Sequence, residues 1–116
     1  MTTNLSGKET TMPKGLLLVM TDIDAANEED LNRWYEEEHL EERLSVPGFV
    51  SARRFEALEG GPKYLALYDL ESPDVLQSAA YHHFVGAGKS AWTKRMEGQF
   101  RNFRRNVYVA LGERKR

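Results

Sequence analysis

Residues 49–70 read FVSARRFEALEGGPKYLALYDL, two strand-like runs around a Gly60-Gly61-Pro62 turn. In the first run Phe49, Ser51, Arg53 and Phe55 share one face and Val50, Ala52, Arg54 and Glu56 the other. In the second, Tyr64, Ala66, Tyr68 and Leu70 oppose Leu65, Leu67 and Asp69. Side chains that alternate with a period of two, interrupted by residues that favour chain reversal, predict a β-hairpin.

Both flanks of the hairpin repeat one theme. Upstream, Leu31, Trp34 and Tyr35 recur at helical spacing while Glu28, Glu29, Asp30, Glu36, Glu37 and Glu41 take the other faces, which predicts an amphipathic helix. It starts near Asn27 or Glu28, with Asp24 or Asn27 as cap, and Pro47-Gly48 ends it and turns the chain into the hairpin. Before it, Gly15 to Ile23 contains Leu16-Leu17-Leu18-Val19-Met20, a run with the length and continuity of a buried strand. Downstream, Ser72-Pro73-Asp74 opens a second helix whose stripe is Val75, Leu76, Ala79 and Ala80, until Gly86 and Gly88 interrupt it. A short segment around Ala91 to Met96 follows, then a closing strand from Asn106 to Leu111. The order β-α-β-β-α-β is the ferredoxin-like α+β arrangement, an antiparallel four-stranded sheet with both helices on one face. The domain spans residues 15–112. Residues 1–14, rich in Thr, Ser, Gly and Lys, read as a flexible tail in which Met12 offers an alternative start, and residues 113–116 form a basic end.

Composition narrows the partners. At 116 residues, 41% hydrophobic and 29% charged, the chain suits one domain with a modest core. Residues 1–58 hold 12 acids and 6 bases and residues 59–116 hold 6 acids and 10 bases, so a charge of -6 in one half meets +4 in the other. A sequence pI near 5.9 is no nucleic-acid footprint. Without cysteine there is no disulfide, thiolate metal site or cysteine nucleophile, which fits a cytoplasmic protein. The longest apolar run, Gly15 to Met20, is too short to span a bilayer. Tyr, Leu, Val and Phe populate both faces of the strands, so a lone copy would expose an apolar sheet surface. We therefore expect a two-fold homodimer that pairs the sheets.

Candidate chemistry gathers on the first helix. His39 carries an imidazole able to give or take a proton near neutral pH, and Tyr35, four residues earlier, is its neighbour on a helix. Trp34 would supply an apolar wall. The bland alternative for His39 is an edge-of-core histidine bonded to backbone. Centring the buried stripe on Leu31 places Trp34, Tyr35, Glu38 and Glu42 inside it and His39 at its edge. Glu38 and Glu42 then need a cation such as Arg53 or Arg54, a raised pKa, or a helix that loosens before Pro47 and lets them reach water. Arg53 and Arg54 alternate faces, so one of them is available to an anionic group. His82-His83 is a poor metal pair, because adjacent residues diverge by about 100° on a helix. Lys94-Arg95, Arg101 and Arg104-Arg105 balance the acidic helix. Trp92 follows a Gly-rich loop, as a lid or a packed plug.

Trp34-Tyr35, His39, Pro47-Gly48-Phe49, Arg53-Arg54, Tyr64-Leu65-Ala66-Leu67-Tyr68 and Trp92 together resemble the dimeric α+β barrel superfamily, specifically its EthD-like branch, over roughly Gly15 to Leu111. The resemblance implies paired ferredoxin-like subunits, each with a cavity between helices and sheet, in a superfamily that includes lactone isomerases, polyketide cyclases, monooxygenases and haem-handling proteins. It matches His39 to a cavity histidine, and Tyr35 is the second catalytic candidate. Trp34, Phe49, Arg53, Arg54, Tyr64, Tyr68 and Trp92 are the candidate substrate contacts. Three readings follow. The first is a cofactor-free, metal-free isomerase, cyclase or lyase in which His39 moves a proton on a small cyclic, aromatic or lactone-like substrate. The second is a non-catalytic carrier of a small hydrophobic compound. The third is a monooxygenase, either cofactor-free or with His39 ligating haem.

Overall fold

In the computed structural model, which describes residues 13–116, β1 (Gly15–Asp22), β2 (Phe49–Glu56), β3 (Tyr64–Leu70) and β4 (Arg101–Val109) form one antiparallel sheet in the order β2-β3-β1-β4. The expected tail lies, up to residue 12, outside the described residues. The helical connections between β1 and β2 and between β3 and β4 cover the same face, giving the ferredoxin-like fold. Leu17 of β1 pairs with Tyr68 of β3, and these with Ala66 and Leu70 point under the helices into a core completed by Leu31, Trp34, Val46 and Met96.

The first connection differs from a plain helix. After a 3-10 turn (Ala25–Asn27), α1 (Glu28–Trp34) runs through a π-helical turn (Tyr35–His39) into α2 (Leu40–Leu44), with the Leu40 N–H bonded to the Tyr35 carbonyl. Asn27 and Asp24 precede these elements without capping them through their side chains, and Asp24 instead accepts from Arg101 at 2.8 Å. A π turn holds one extra residue and so advances the helical phase by about 100°. A regular helix would carry the stripe Leu31, Trp34, Tyr35 on to positions 38, 42 and 45. The observed buried positions are His39, Arg43 and Val46. The expectation that Glu38 and Glu42 lie in the stripe with His39 at its edge is thereby corrected by one residue. At Pro47-Gly48 the turn is as expected: Gly48 has φ +98°, and a Cβ there would collide with the Val75 side chain, so both backbone and space require glycine.

Three further boundaries shift. A bulge between Phe49 and Ser51 moves Phe49 onto the face of Ala52, Arg54 and Glu56, because Phe49 pairs with Leu70, Ala52 with Tyr68 and Arg54 with Ala66. Arg54 therefore faces the helices, and Arg53 faces away. The second helix breaks at Ser78, whose extended backbone and hydroxyl cap α3 (Ala79–Phe84) after a 3-10 turn (Pro73–Gln77). α4 (Ala91–Glu97) follows the Gly-rich loop, capped by Ser90. The last strand begins at Arg101 and ends at Val109, earlier at both ends than read from the β-branched run, since pairing with Gly15–Asp22 sets its limits. Every residue of β4 is exposed, as befits a strand at the edge of the sheet. On the sheet face opposite the helices, Leu16, Leu18, Met20, Leu65 and Leu67 are half-buried and Phe55 is 45% exposed.

Candidate functional site

The phase shift in the first helix creates the site. His39, 7% exposed, stacks on Trp34 with ring centroids 4.1 Å apart and meets Tyr35 and Tyr68 edge-on at 5.3 and 6.4 Å. Its Nδ1 is buried without a hydrogen-bond partner. Burial, then the Arg43 and Arg54 charges, hold the imidazole well below its ordinary value of 6.5, so it is neutral at neutral pH. Trp34 is in turn fixed from α4: its indole N–H donates to Thr93 Oγ1 at 3.1 Å, and Thr93 donates to Glu38 at 3.1 Å. Glu38 also accepts from Ser90. Two hydroxyls therefore satisfy Glu38, in place of the expected arginine or water. Glu42 sits beside Arg43 at 3.6 Å, and burial raises its carboxyl above the usual range.

Next to His39 lies a cavity of about 410 Å³ between the helices and the sheet. Leu17 and Val19 of β1, Trp34, Leu76, Val85 and Phe100 give it apolar walls, and Phe103 and Arg105 of exposed β4 lie at its mouth. Three polar residues, His39, Tyr68 and Arg43, belong to its lining. Besides His39 Nδ1, the Tyr68 hydroxyl and Arg43 Nη1 are buried without hydrogen bonds. Burial, and then the neighbouring Tyr35, push the Tyr68 phenol well above its ordinary value of 10.0, and burial likewise raises Tyr35. Both stay protonated as donors. A mostly apolar hollow with a few convergent polar groups is the usual form of a small-molecule site.

Of the residues singled out in the sequence, His39, Tyr35, Trp34 and Tyr68 line this cavity. Phe49 supports it from behind, stacked on Tyr81 at 6.0 Å and edge-on to Tyr68 at 5.8 Å. Arg54 lies on the far side of Tyr35, 4.0 Å from that ring and 5.4 Å from Tyr64, and donates to Asn32 at 2.9 Å beside a smaller hollow of about 170 Å³. The other three stand apart from the large cavity. Arg53 pairs with Asp69 at 3.1 Å on the open sheet face, and the Tyr64 hydroxyl donates to Glu28 at 2.6 Å. Trp92 donates to Asp30 at 3.0 Å between Arg33 and Arg95. His82 reaches the cavity, whereas His83 packs at Gly88. Among the described residues no three metal-ligating side chains cluster. Arg95 and Arg101 pair with Asp30 and Asp24, joining the basic cluster to the acidic segment within one chain.

Sequence reasoning missed Arg43, 6% exposed and lying over the Tyr81 ring at 5.6 Å. A signal existed: Val46, and not Ser45, is the apolar residue before Pro47, which fits the stripe only if one residue is inserted upstream.

Comparison with family models and with curated proteins returns no match. Among solved structures, a dimeric ferredoxin-like protein from an uncultured marine organism aligns over 96% of this chain and 99% of its own, at TM-score 0.69 and 17% identity. A variant of SnoaB, a cofactor-independent oxygenase from Streptomyces nogalater, aligns over 87% of this chain and 96% of its own, at TM-score 0.65 and 11% identity. MhuD, a haem degrader from Mycobacterium tuberculosis with two haems in its active site, aligns over 87% and 99% at TM-score 0.67 and 14% identity. At these identities the likeness concerns the fold alone, a ferredoxin-like architecture.

Proposed function

We propose that the protein is a cofactor-free enzyme acting on a small cyclic or aromatic carbonyl compound, with His39 as the general base. The carrying observation is a neutral imidazole, with Nδ1 unpartnered, beside a 410 Å³ cavity. In this reading His39 takes a proton from the carbon next to a carbonyl, and the electron pair moves onto the carbonyl oxygen. The Tyr68 hydroxyl donates to that oxygen, Tyr35 flanks the imidazole, and Trp34 fixes the ring plane. Returning the proton to a different atom completes an isomerisation or cyclisation. A second reading lets the same substrate anion react with O2, converting a CH2 to a carbonyl and releasing one water. The cofactor-independent oxygenase among the structural neighbours favours it. Haem fits the site less well: an axial imidazole needs wide free volume beside it, while His39 lies flat against Trp34 and is edged by Tyr35 and Tyr68.

We assign the chain to the EthD-like branch on Trp34-Tyr35, His39 and Pro47-Gly48-Phe49. Two copies would pair through the sheet face that carries Leu16, Leu18, Leu65, Leu67 and Phe55. A thermal-shift screen of phenols, quinones and lactones finds the ligand, since one that binds only the folded state raises apparent stability. His39→Gln then abolishes turnover and leaves binding intact. Unchanged turnover removes the base role, and binding with no turnover in the parent protein identifies a carrier.

A further inference from the structure

We infer that the cavity is built for an anionic ligand, a small and mainly apolar carboxylic acid whose carboxylate docks on Arg43. The inference rests on the cavity reading above and adds a charge to its ligand. Arg43 is 6% exposed, lines the cavity, and holds Nη1 buried with no hydrogen bond. Its nearest carboxylate is Glu42, the preceding residue, at 3.6 Å, and the facing Glu42 Oε1 is itself buried without a hydrogen bond. A buried guanidinium costs stability unless it is paired and hydrogen-bonded. At 3.6 Å the contact with Glu42 is longer than a hydrogen bond, so the guanidinium that lines the hollow is incompletely paired.

The other charges facing the cavity lean the same way. Arg105, at the mouth, donates to the Tyr81 hydroxyl at 3.0 Å, and among the described residues no carboxylate stands within ion-pair distance of it. Tyr81 thus lies between two arginines, its ring under Arg43 and its hydroxyl on Arg105. Glu97, the acid in the lining, is engaged by Lys89 at 2.7 Å. His39, His82, Tyr35 and Tyr68 complete the titratable lining and carry no negative charge at neutral pH. A planar carboxylate is the group a guanidinium fork binds in two parallel hydrogen bonds, and the apolar walls suit an aromatic or cyclic body.

The test compares acids with uncharged amides of the same shape: benzoate with benzamide, and 2-naphthoate with 2-naphthamide, by NMR titration at pH 7.5. Each acid is expected to bind at least about tenfold tighter than its amide, the range of a charge-assisted hydrogen bond. Arg43→Met brings that ratio to about one with amide affinity unchanged, and His39→Gln keeps the ratio. Arg105→Gln, at an exposed position, lowers it in part and serves if Arg43→Met fails to fold. Equal binding of acid and amide by the parent protein overturns the inference and leaves the cavity reading standing. Absence of binding by all four probes at millimolar concentration overturns both.

Discussion

Arg43→Met tests whether a residue placed for a ligand weakens the protein that carries it. The side chain is 8% exposed, Nη1 has no hydrogen bond, and among the described residues its one carboxylate within ion-pair distance, Glu42, stands 3.6 Å away. Methionine has a comparable unbranched stem and brings no charge, so it fills the space beside Tyr81 without the desolvation cost. Replacing both members of a buried ion pair by apolar groups is often neutral or stabilising by about 1–4 kcal/mol, and replacing the arginine alone approaches that case when Glu42, whose carboxyl burial already raises, takes up a proton. In a domain of this size each 1 kcal/mol moves Tm by about 4–8 °C, so a rise of at least about 4 °C is expected without ligand. Circular-dichroism melts at pH 7.5 read it. Glu42, left without Arg43, sits partly in water and becomes easier to protonate, which limits the opposing cost. A fall of several degrees would defeat the argument, above all if Glu42→Gln gives the same fall and the double variant adds nothing, because that pattern identifies a structural ion pair.

The remaining predictions concern pH, packing and assembly. His39 is held below 6.5 in the folded protein, so below pH 6.5 the unfolded chain binds a proton that the folded one refuses. Stability is therefore undiminished above that pH and falls at up to about 1.4 kcal/mol per pH unit on acidification; urea denaturation at pH 7.5 and 5.5 shows this drop in the parent protein and a smaller one in His39→Gln. Thr93→Val leaves the buried Trp34 indole N–H without its 3.1 Å acceptor and costs about 1–3 kcal/mol, read as a lower urea midpoint; no change would mean that water replaces the hydroxyl. Leu67→Asp places a charge on the open sheet face and is expected to give a monomer by light scattering, with a native circular-dichroism spectrum; a monomeric parent protein would contradict the paired-sheet proposal.

Much of the architecture was legible because local patterns carry it. Period-two alternation around Gly60-Gly61-Pro62 marks the hairpin, and Pro47-Gly48 marks the helix end, since the φ of +98° at Gly48 is a conformation glycine adopts freely. Trp34, Tyr35 and His39 could be singled out from aromatic and titratable character alone. Two one-residue insertions escaped that reading. The bulge after Phe49 decides that Arg54 faces the helices, and the π turn decides that His39 and Arg43 do. Neither has a local signature as strong as glycine or proline, because each is settled by which register buries more apolar surface against the rest of the chain.

The amino-acid sequence by itself determined the element order, the amphipathic first helix and the presence of an imidazole among aromatics, all consequences of spacing and backbone preference. Tertiary structure alone decided that the imidazole is buried and neutral, that Tyr68 and Arg43 converge on the same hollow, and that Arg53, Tyr64 and Trp92 stand elsewhere. The physical reason is phase: one residue turns a helix by about 100° and a strand by half a turn, so a single insertion chosen by packing reassigns every side chain that follows it.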